Sequence, residues 1–199
     1  MNIDFKTVDL FESKIAEFFN SPYCIALDSC THGIELCLRY EKNKEVTVPR
    51  HTYISVPLLA YKLNIKLNWK DERWENYYYI TDKIIDAAVL WKKNSYIKGT
   101  YMSLSFQRQK HLNLGRGGAL LLDNKEAYNI IKKMSYDGRE RHIEWRKQNI
   151  SVIGYHYYML PEISALGLNK LDEAIKTTPR QWVIEDWPDV SKMDVFKNI

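Results

Sequence analysis

Apolar residues recur along the chain at two alternating periods, one typical of helices and one typical of buried strands. Residues 8–19 place aromatic and aliphatic side chains at helical spacing, which predicts an amphipathic helix that ends at Ser21-Pro22. The apolar face of this helix carries Phe11, Ile15, Phe18 and Phe19. The short apolar run at 23–27 then predicts a buried strand.

The same alternation continues along the chain. Further strands are predicted at 45–48, 65–69, 83–88, 100–106 and 119–122. Helices are predicted around Ile34, Cys37 and Leu38, around Leu58 and Leu59, and after a cap at Asp123 or Asn124, with Ala127, Ile130, Ile131 and Met134 on the apolar face. Repeated strand–helix units of this kind indicate an α/β domain with a mostly parallel central sheet and polar groups at strand ends.

One stretch does not fit a regular crossover. Only Thr81 and Asp82 separate the runs 77–80 and 83–88, whereas parallel neighbours need a connection of about a dozen residues. The two runs must therefore form one continuous strand or an antiparallel pair. One continuous strand is the simpler of the two, and we expect it.

The size and charge of the chain are those of an ordinary globular protein. Its 199 residues are enough for one domain with a sizeable core or for two small ones. The formal net charge of +4 is mild. A basic stretch runs from Lys132 to Lys147, but Glu140 and Glu144 interrupt it, which favours a solvated helical face over a nucleic-acid surface. We therefore expect no nucleic-acid partner.

The sequence gives no sign of a membrane segment or a disulfide framework. The longest apolar run, 56–60, is short and contains Pro57, and the first residues lack the basic start and apolar stretch of a signal peptide. The three cysteines are odd in number and match no common zinc spacing. They are Cys24, Cys30 and Cys37. We expect a cytoplasmic protein with no membrane contact and no bound metal.

The segment 105–118 carries the strongest chemical signal. Ser105 closes a strand, Lys110 follows it, and a glycine-rich turn leads into the next strand. A lysine forms Schiff bases with carbonyl compounds when its site favours the neutral amine, a serine hydroxyl can bind phosphate, and glycines let the backbone approach a cofactor. Taken alone, the segment also fits a solvated lysine beside a turn.

Two other segments place polar groups at strand ends. Asp86 lies in the run 83–88, where a carboxylate is costly to bury unless it meets a positive partner such as a protonated pyridine nitrogen. The segment Asp28-Ser29-Cys30-Thr31 lies between a strand and a helix, where backbone amides and hydroxyls suit a phosphate dianion. Each segment also fits a plain capping role.

These segments, together with Pro49-Arg50-His51-Thr52-Tyr53, follow one another in an order known from a protein family. The chain resembles the DegT/DnrJ/StrS family of pyridoxal 5′-phosphate (PLP)-dependent sugar aminotransferases, a branch of the fold-type I enzymes. The resemblance implies the large domain of such an enzyme in reduced form, a three-layer α/β sandwich at 1–176. It leaves a C-terminal tail at 177–199.

The resemblance implies a role for each segment. Lys110 would hold PLP as an internal aldimine and then shuttle a proton, Asp86 would face the ring nitrogen, and Tyr53 would stack on the ring. The phosphate-binding residues that it implies are Ser29, Cys30, Thr31 and Ser105. The segment 154–165 resembles the part of the family that reaches into a partner subunit, which implies a homodimer with shared active sites and His156 as a phosphate donor in the partner's site.

Several departures from the family pattern bear on activity. Cys30 replaces the usual small residue of the phosphate turn, Val89 replaces a polar residue that bonds the phenolic oxygen of the cofactor, and Tyr158 replaces an arginine. A strand–helix unit is missing between Trp69 and Asp86. After residue 175 a tail stands where the family has its small domain, and its large aromatic residues are Trp182, Trp187 and Phe196.

The function implied by the resemblance is amino transfer. The chain would use PLP to move an amino group from an amino acid to a keto-sugar, one that is nucleotide-linked or otherwise activated. The departures keep a second hypothesis open, a reduced non-catalytic relative that keeps the fold for binding or assembly. The family also contains sugar dehydratases that lack the lysine, and Lys110 argues against that branch.

Overall fold

The computed structural model describes residues 4–197, which form five α-helices and seven strands. The helices are α1 (Phe5–Phe19), α2 (Cys30–Tyr40), α3 (Ser55–Leu63), α4 (Lys125–Ser135) and α5 (Pro161–Lys176). The strands are β1 (Tyr23–Leu27), β2 (Glu45–Pro49), β3 (Lys66–Lys70), β4 (Tyr78–Tyr79), β5 (Ile84–Asp86), β6 (Tyr101–Ser105) and β7 (Gly118–Leu122). Outside 77–88 this order confirms the prediction. Within 4–197, no helix is long and apolar enough to cross a membrane.

The main sheet has five strands in the order β1-β7-β6-β5-β4. β1 and β6 both pair with β7 in antiparallel fashion, and β5 pairs with β6 in parallel. The α/β class is therefore confirmed, but the sheet is mixed: β1, β5 and β6 run in one direction, and β4 and β7 run in the other. The expectation of mostly parallel pairing was wrong because β6 and β7 are joined by a compact turn segment that contains no helix.

Two apolar clusters, one on each face of the main sheet, make the fold a three-layer sandwich. Alternate residues of β1 point to opposite faces, so Cys24 and Ala26 join one cluster while Ile25 and Leu27 join the other. The first cluster contains the buried faces of α1 and α5, and the second contains those of α2, α3 and α4. Both faces of the sheet are thus covered by helices, as the α/β class requires.

Residues 78–86 form an antiparallel pair, so the expectation of one continuous strand was wrong. β4 and β5 are paired with Tyr78 opposite Asp86. The turn between them is stabilised by the hydroxyl of Thr81, which accepts hydrogen bonds from the backbone N–H groups of Lys83 and Ile84 at 3.3 and 3.0 Å. A threonine that satisfies two turn amides favours chain reversal over extension. This reversal brings Tyr78 beside Asp86.

A second, two-stranded sheet lies next to the first. Its strands β2 and β3 are parallel and are joined by α3. The connection through α3 is long enough for the crossover that parallel strands need. The backbone N–H of Thr47 in β2 donates to Ile80 O at 3.0 Å and so links this sheet to the end of β4. The link fixes the segment after β2, residues 50–54, at the edge of the main sheet.

The tail after α5 contains three single 3-10 turns, at 184–186, 190–192 and 194–196. It returns to the segment that follows β2. The backbone N–H of Val190 donates to Arg50 O at 2.9 Å, and the Arg50 guanidinium donates to the Ser191 hydroxyl at 2.7 Å. The ring nitrogen Nδ1 of His51 lies 2.8 Å from Trp187 O. These bonds bring the aromatic part of the tail to the same edge as residues 50–54.

Candidate functional site

A cavity of 570 Å³ opens where β5 and β6 end and α2 begins. Every predicted site residue except His156 lines it. Those residues are Ser29, Cys30, Thr31, Tyr53, Asp86, Ser105 and Lys110. The position agrees with the general rule that ligands of α/β sheets bind beyond the carboxyl ends of strands. Segments far apart in the sequence are thus brought to one site.

Asp86 belongs to the inner wall of the cavity. We define this inner wall as Cys30, Asp86 and Lys110. The Asp86 carboxylate is 5% exposed and accepts hydrogen bonds from Tyr78 Oη at 2.7 Å and from the backbone N–H of Ala88 at 2.9 Å. The thiol of Cys30 lies 3.7 Å from the same carboxylate. Burial raises the pKa of Asp86, and the hydrogen bond from Tyr78 is the largest influence that opposes this rise.

Lys110 lies on a tight turn after β6 and is 9% exposed. Its backbone N–H donates to Gln107 O at 2.9 Å, and Leu114 N–H donates to Phe106 O at 2.9 Å, which closes the turn around it. Burial lowers the pKa of the Lys110 amine, while the Asp86 carboxylate acts in the opposite direction. A buried lysine with a lowered pKa has more of the neutral, nucleophilic form than a surface lysine.

The N-terminus of α2 forms the end of the cavity that is suited to an anion. Ser29 caps the helix, with His32 N–H donating to its hydroxyl at 3.2 Å, and the Thr31 hydroxyl pairs with Ser55 Oγ at 2.7 Å. Backbone N–H groups at a helix start carry partial positive charge and suit phosphate. Gly118 of β7 packs directly against this turn, since a Cβ at residue 118 would lie 2.4 Å from Cys30 N. The absence of a side chain there lets the strand approach the turn.

Two basic residues at the same end were missed by sequence reasoning. His32 Nδ1 lies 2.6 Å from Asp28 Oδ1, and its ring stacks on Tyr157 with centroids 3.6 Å apart. The Arg116 guanidinium donates to the other Asp28 oxygen at 2.9 Å. Both basic side chains line the cavity. The position of His32 one residue after the Ser-Cys-Thr turn was the signal that could have identified it.

The outer wall of the cavity is aromatic, and we define it as Tyr53, Trp74 and Trp187. Tyr53 is 57% exposed and meets Trp187 edge-on, with ring centroids 6.4 Å apart. Trp182 stacks on Trp187, and the Lys110 amine lies 4.3 Å from the Trp182 ring centroid and 5.3 Å from that of Trp187. The tail therefore covers the lysine. Sequence reasoning noted the aromatic tail but did not place it at the site.

His156 lies away from this cavity. Its ring nitrogen Nδ1 is 3.1 Å from Asp137 Oδ2, and its side chain is 72% exposed. The structure therefore brings together all the predicted site residues of the inner cavity but not His156. Its assignment to the site of a second subunit stays a prediction.

The side chains of the cavity fit PLP. A volume of 570 Å³ lies within the usual range for small-molecule sites, about 300–1,000 Å³. A buried carboxylate, Asp86, suits a protonated ring nitrogen, and a buried amine, Lys110, suits an aldehyde. A helix N-terminus with serine and threonine hydroxyls suits the phosphate. In the described part of the chain, no group of metal-binding side chains occurs.

Solved structures with the same fold are sugar aminotransferases and related proteins. AtS13 from Actinomadura melliaura matches with a TM-score of 0.74 at 19% identity, over 86% of this chain and 61% of that one. The sugar aminotransferase CalS13 from Micromonospora echinospora matches with a TM-score of 0.72 at 14% identity, over 84% and 60%. DesV from S. venezuelae, in complex with a ketimine intermediate, matches with a TM-score of 0.64 at 18% identity, over 84% and 57%. The chain thus spans about three fifths of these relatives.

The comparison with protein families gives a direct assignment. No curated protein matches the sequence. The sequence model of the DegT/DnrJ/EryC1/StrS aminotransferase family matches residues 2–97 and 92–183, which together make up most of the chain. This chain belongs to the DegT/DnrJ/EryC1/StrS aminotransferase family, whose cofactor is pyridoxal 5′-phosphate.

Proposed function

We propose that this protein is a PLP-dependent aminotransferase that transfers an amino group from an amino acid to a keto-sugar, in its nucleotide-linked form. The observation that carries the proposal is the convergence of a buried amine, a buried carboxylate and a helix N-terminus on one cavity. Residues 1–176 would be the cofactor-binding domain, and the tail 177–199 would cover it. A cytoplasmic location stays a prediction.

Bound PLP supplies an aldehyde that captures amines and a ring that withdraws electrons from the carbon next to the captured nitrogen. The residues of the chain supply the rest. Lys110 Nζ, whose pKa is lowered by burial, would be the amine that holds the aldehyde carbon and the base that accepts and returns the substrate proton. Asp86 would hold a proton on the ring nitrogen through its carboxylate.

The remaining residues orient the cofactor. Ser29, Thr31 and Ser105 offer hydroxyls to the phosphate, and the amide of Cys30 lies at the start of α2 beside them. Tyr53 lies over the cavity, where its ring can stack on the pyridine. Trp187 and the Trp182 ring stacked on it exclude water from Lys110, which strengthens every electrostatic contact inside.

The first test is cofactor capture. Purified protein mixed with PLP should develop a visible absorbance band, and borohydride reduction should attach the cofactor to residue 110. Lys110→Ala should remove both signals. Lys170→Ala is the matched control, because Lys170 donates to Asn113 O near the same turn but its amine is exposed. Protein that shows no band, or a band retained in Lys110→Ala, would contradict the proposal.

The second test is amino transfer itself. Glutamate added to the loaded protein should convert the visible band to the pyridoxamine spectrum, and a keto-sugar nucleotide should restore it. The packing of Lys110 against Trp182 and the presence of Val89 in the cavity favour a second candidate, a relative that binds PLP without transamination. A band that never responds to an amino donor would support that candidate instead.

The third test concerns a shared site in a homodimer. His156 is exposed and lies outside its own cavity, as expected for a residue that acts in a second subunit. His156→Ala and Lys110→Ala should each be inactive alone. A mixture of the two variants should recover about a quarter of the activity, because random pairing gives half of the dimers one site that has both residues. Failure of the mixture to recover activity would contradict the shared site.

A further inference from the structure

The tyrosine of the β4–β5 pair makes a contact that the proposed function does not use. Tyr78 and Asp86 are direct cross-strand partners, and the Tyr78 hydroxyl lies 2.7 Å from Asp86 Oδ2. Tyr78 is 2% exposed and is not part of the cavity lining, whereas Asp86 lines the cavity. The tyrosine therefore contacts the carboxylate from the side away from the cofactor space.

The direction of the hydrogen bonds follows from the chemistry of the groups. An ionised carboxylate can only accept, so Tyr78 must donate its single hydroxyl proton to Asp86. The Thr52 hydroxyl lies 2.6 Å from Tyr78 Oη and must then donate to it. Thr52 is also 2% exposed. The result is a buried chain of two hydrogen bonds that ends on Oδ2 of the carboxylate.

This chain matters because Asp86 is buried and is held by few partners. Its other oxygen accepts from the backbone N–H of Ala88. Oδ1 also lies 3.7 Å from the Cys30 thiol, so Tyr78 is the single donor on Oδ2. Together these donors set the plane of the carboxylate and leave acceptor capacity for a further partner. Burial also raises the pKa of the Tyr78 hydroxyl well above its usual value, so the group stays protonated and remains a donor.

We propose that Tyr78 is a positioning residue for the cofactor ring: through its hydrogen bond it keeps Asp86 ionised and oriented toward the ring nitrogen, with Thr52 fixing the hydroxyl in turn. The inference rests on the proposed function, because it assumes that PLP occupies the cavity. It assigns a role to the β4–β5 hairpin, whose reversal brings the hydroxyl to Asp86.

The test compares PLP with its carbocyclic analogue, in which a C–H group replaces the ring nitrogen. The two ligands share the aldehyde and the phosphate, so the ratio of their dissociation constants isolates the contact between the ring nitrogen and Asp86. Trp74 and Trp187 line the cavity, and quenching of tryptophan fluorescence therefore reports binding of either ligand without turnover.

The wild type should prefer PLP over the analogue. Tyr78→Phe should lower this preference about tenfold, the typical value of one hydrogen bond to a charged group, while binding of the analogue stays nearly unchanged. Tyr79→Phe is the matched control, since Tyr79 is the next residue of the same strand and is partly exposed. It should keep the wild-type preference.

Two outcomes would overturn the inference. One is an unchanged preference in Tyr78→Phe, and the other is equal weakening of both ligands, which would reduce Tyr78 to a packing role. If Tyr78→Phe does not fold, Thr52→Val is tested in its place. It should lower the preference for PLP over the analogue about threefold, and an unchanged preference in this variant would also overturn the inference. Failure of the proposed function is distinguishable, because the wild type would then bind neither ligand.

Discussion

The inner and outer walls of the cavity are built in different ways. The inner wall consists of buried residues on or next to regular elements: Asp86 ends β5, Cys30 begins α2, and Lys110 lies on the turn after β6. The outer wall is less buried and lies on irregular segments, with the partly buried Trp187 in the tail and the exposed Tyr53 between β2 and α3. Charge is concentrated in the inner wall, and aromatic surface in the outer wall.

This difference separates two tasks. The inner wall contains two buried ionisable groups, since burial raises the pKa of Asp86 and lowers that of Lys110, and such groups are typical of sites that hold and move protons. The outer wall is held by a few hydrogen bonds from the tail to residues 50 and 51 and controls access to Lys110. Substitutions in the inner wall should therefore alter the reactivity of Lys110 and the affinity for PLP. Substitutions in the outer wall should alter the solvent exposure of Lys110.

Asp86→Asn is expected to have the largest effect. Removing one member of a buried charge pair costs about 2–5 kcal/mol, so the affinity for PLP should fall roughly a hundredfold. Binding of the carbocyclic analogue should change little, because it has no ring nitrogen. Titration by tryptophan fluorescence measures both. A PLP affinity within threefold of the wild type would show that Asp86 does not face the ring nitrogen.

The pH dependence of cofactor capture should show the effect of the inner wall on Lys110. The pKa of this amine is lowered by burial, so the neutral form persists to lower pH than in an ordinary lysine, whose pKa is about 10.4. The rate of borohydride-trappable capture should rise with pH and level off below that value. A rate that keeps rising up to pH 10.4 would mean that the amine is solvated.

The same shift has a consequence for stability. Between the lowered pKa of Lys110 and about 10.4 the unfolded chain binds a proton that the folded chain does not. Lys110 therefore contributes to stability at high pH, and this contribution is lost as the pH falls through its folded pKa. Lys110→Met should flatten the pH dependence of urea unfolding in this window.

Trp187→Ala should have a moderate effect on the access of reagents to Lys110 and on stability. Opening the outer wall should speed labelling of Lys110 by an amine-specific reagent several-fold, and the loss of a half-buried indole should lower stability by about 1–2 kcal/mol. Peptide mass analysis of residue 110 and urea unfolding measure the two effects. Trp145→Ala is the control, because Trp145 is exposed and is not part of the cavity lining.

Tyr53 offers the smallest and most selective change. Tyr53→Phe keeps the ring and should leave PLP affinity within about twofold, whereas Tyr53→Ala removes the stacking surface and should weaken binding about three- to tenfold. Equal losses in the two variants would assign the effect to the hydroxyl and contradict stacking. Absorbance titration with PLP decides between these outcomes.

Much of the inner wall could be predicted from the sequence. Asp86 and Ser105 follow apolar strands, and strand ends of an α/β sheet meet at one edge, so their convergence with the start of α2 follows from the pattern. The order of the segments then indicated the family. Lys110 was assigned to the site only through that resemblance, because a lysine beside a glycine-rich turn also fits a solvated position.

The errors and omissions have physical causes. One continuous strand was preferred over the reversal at Thr81 because both flanking runs have strong strand propensity and the turn lacks glycine or proline. The contact between Tyr78 and Asp86 depends on the register of that hairpin, which propensity does not specify. Trp187 was not placed at the site because an irregular tail has no periodicity from which its path can be predicted.

The close approach at Gly118 limits how this protein can be altered. A Cβ atom at this position would overlap both the carbonyl carbon of Ser29 and the nitrogen of Cys30, each at 2.4 Å. Any replacement must therefore displace the backbone that would grip the phosphate, and the same shift would loosen the pairing of β1 with β7. A substitution at residue 118 would therefore weaken both cofactor binding and the folded structure. Selection for either property should keep glycine at this position.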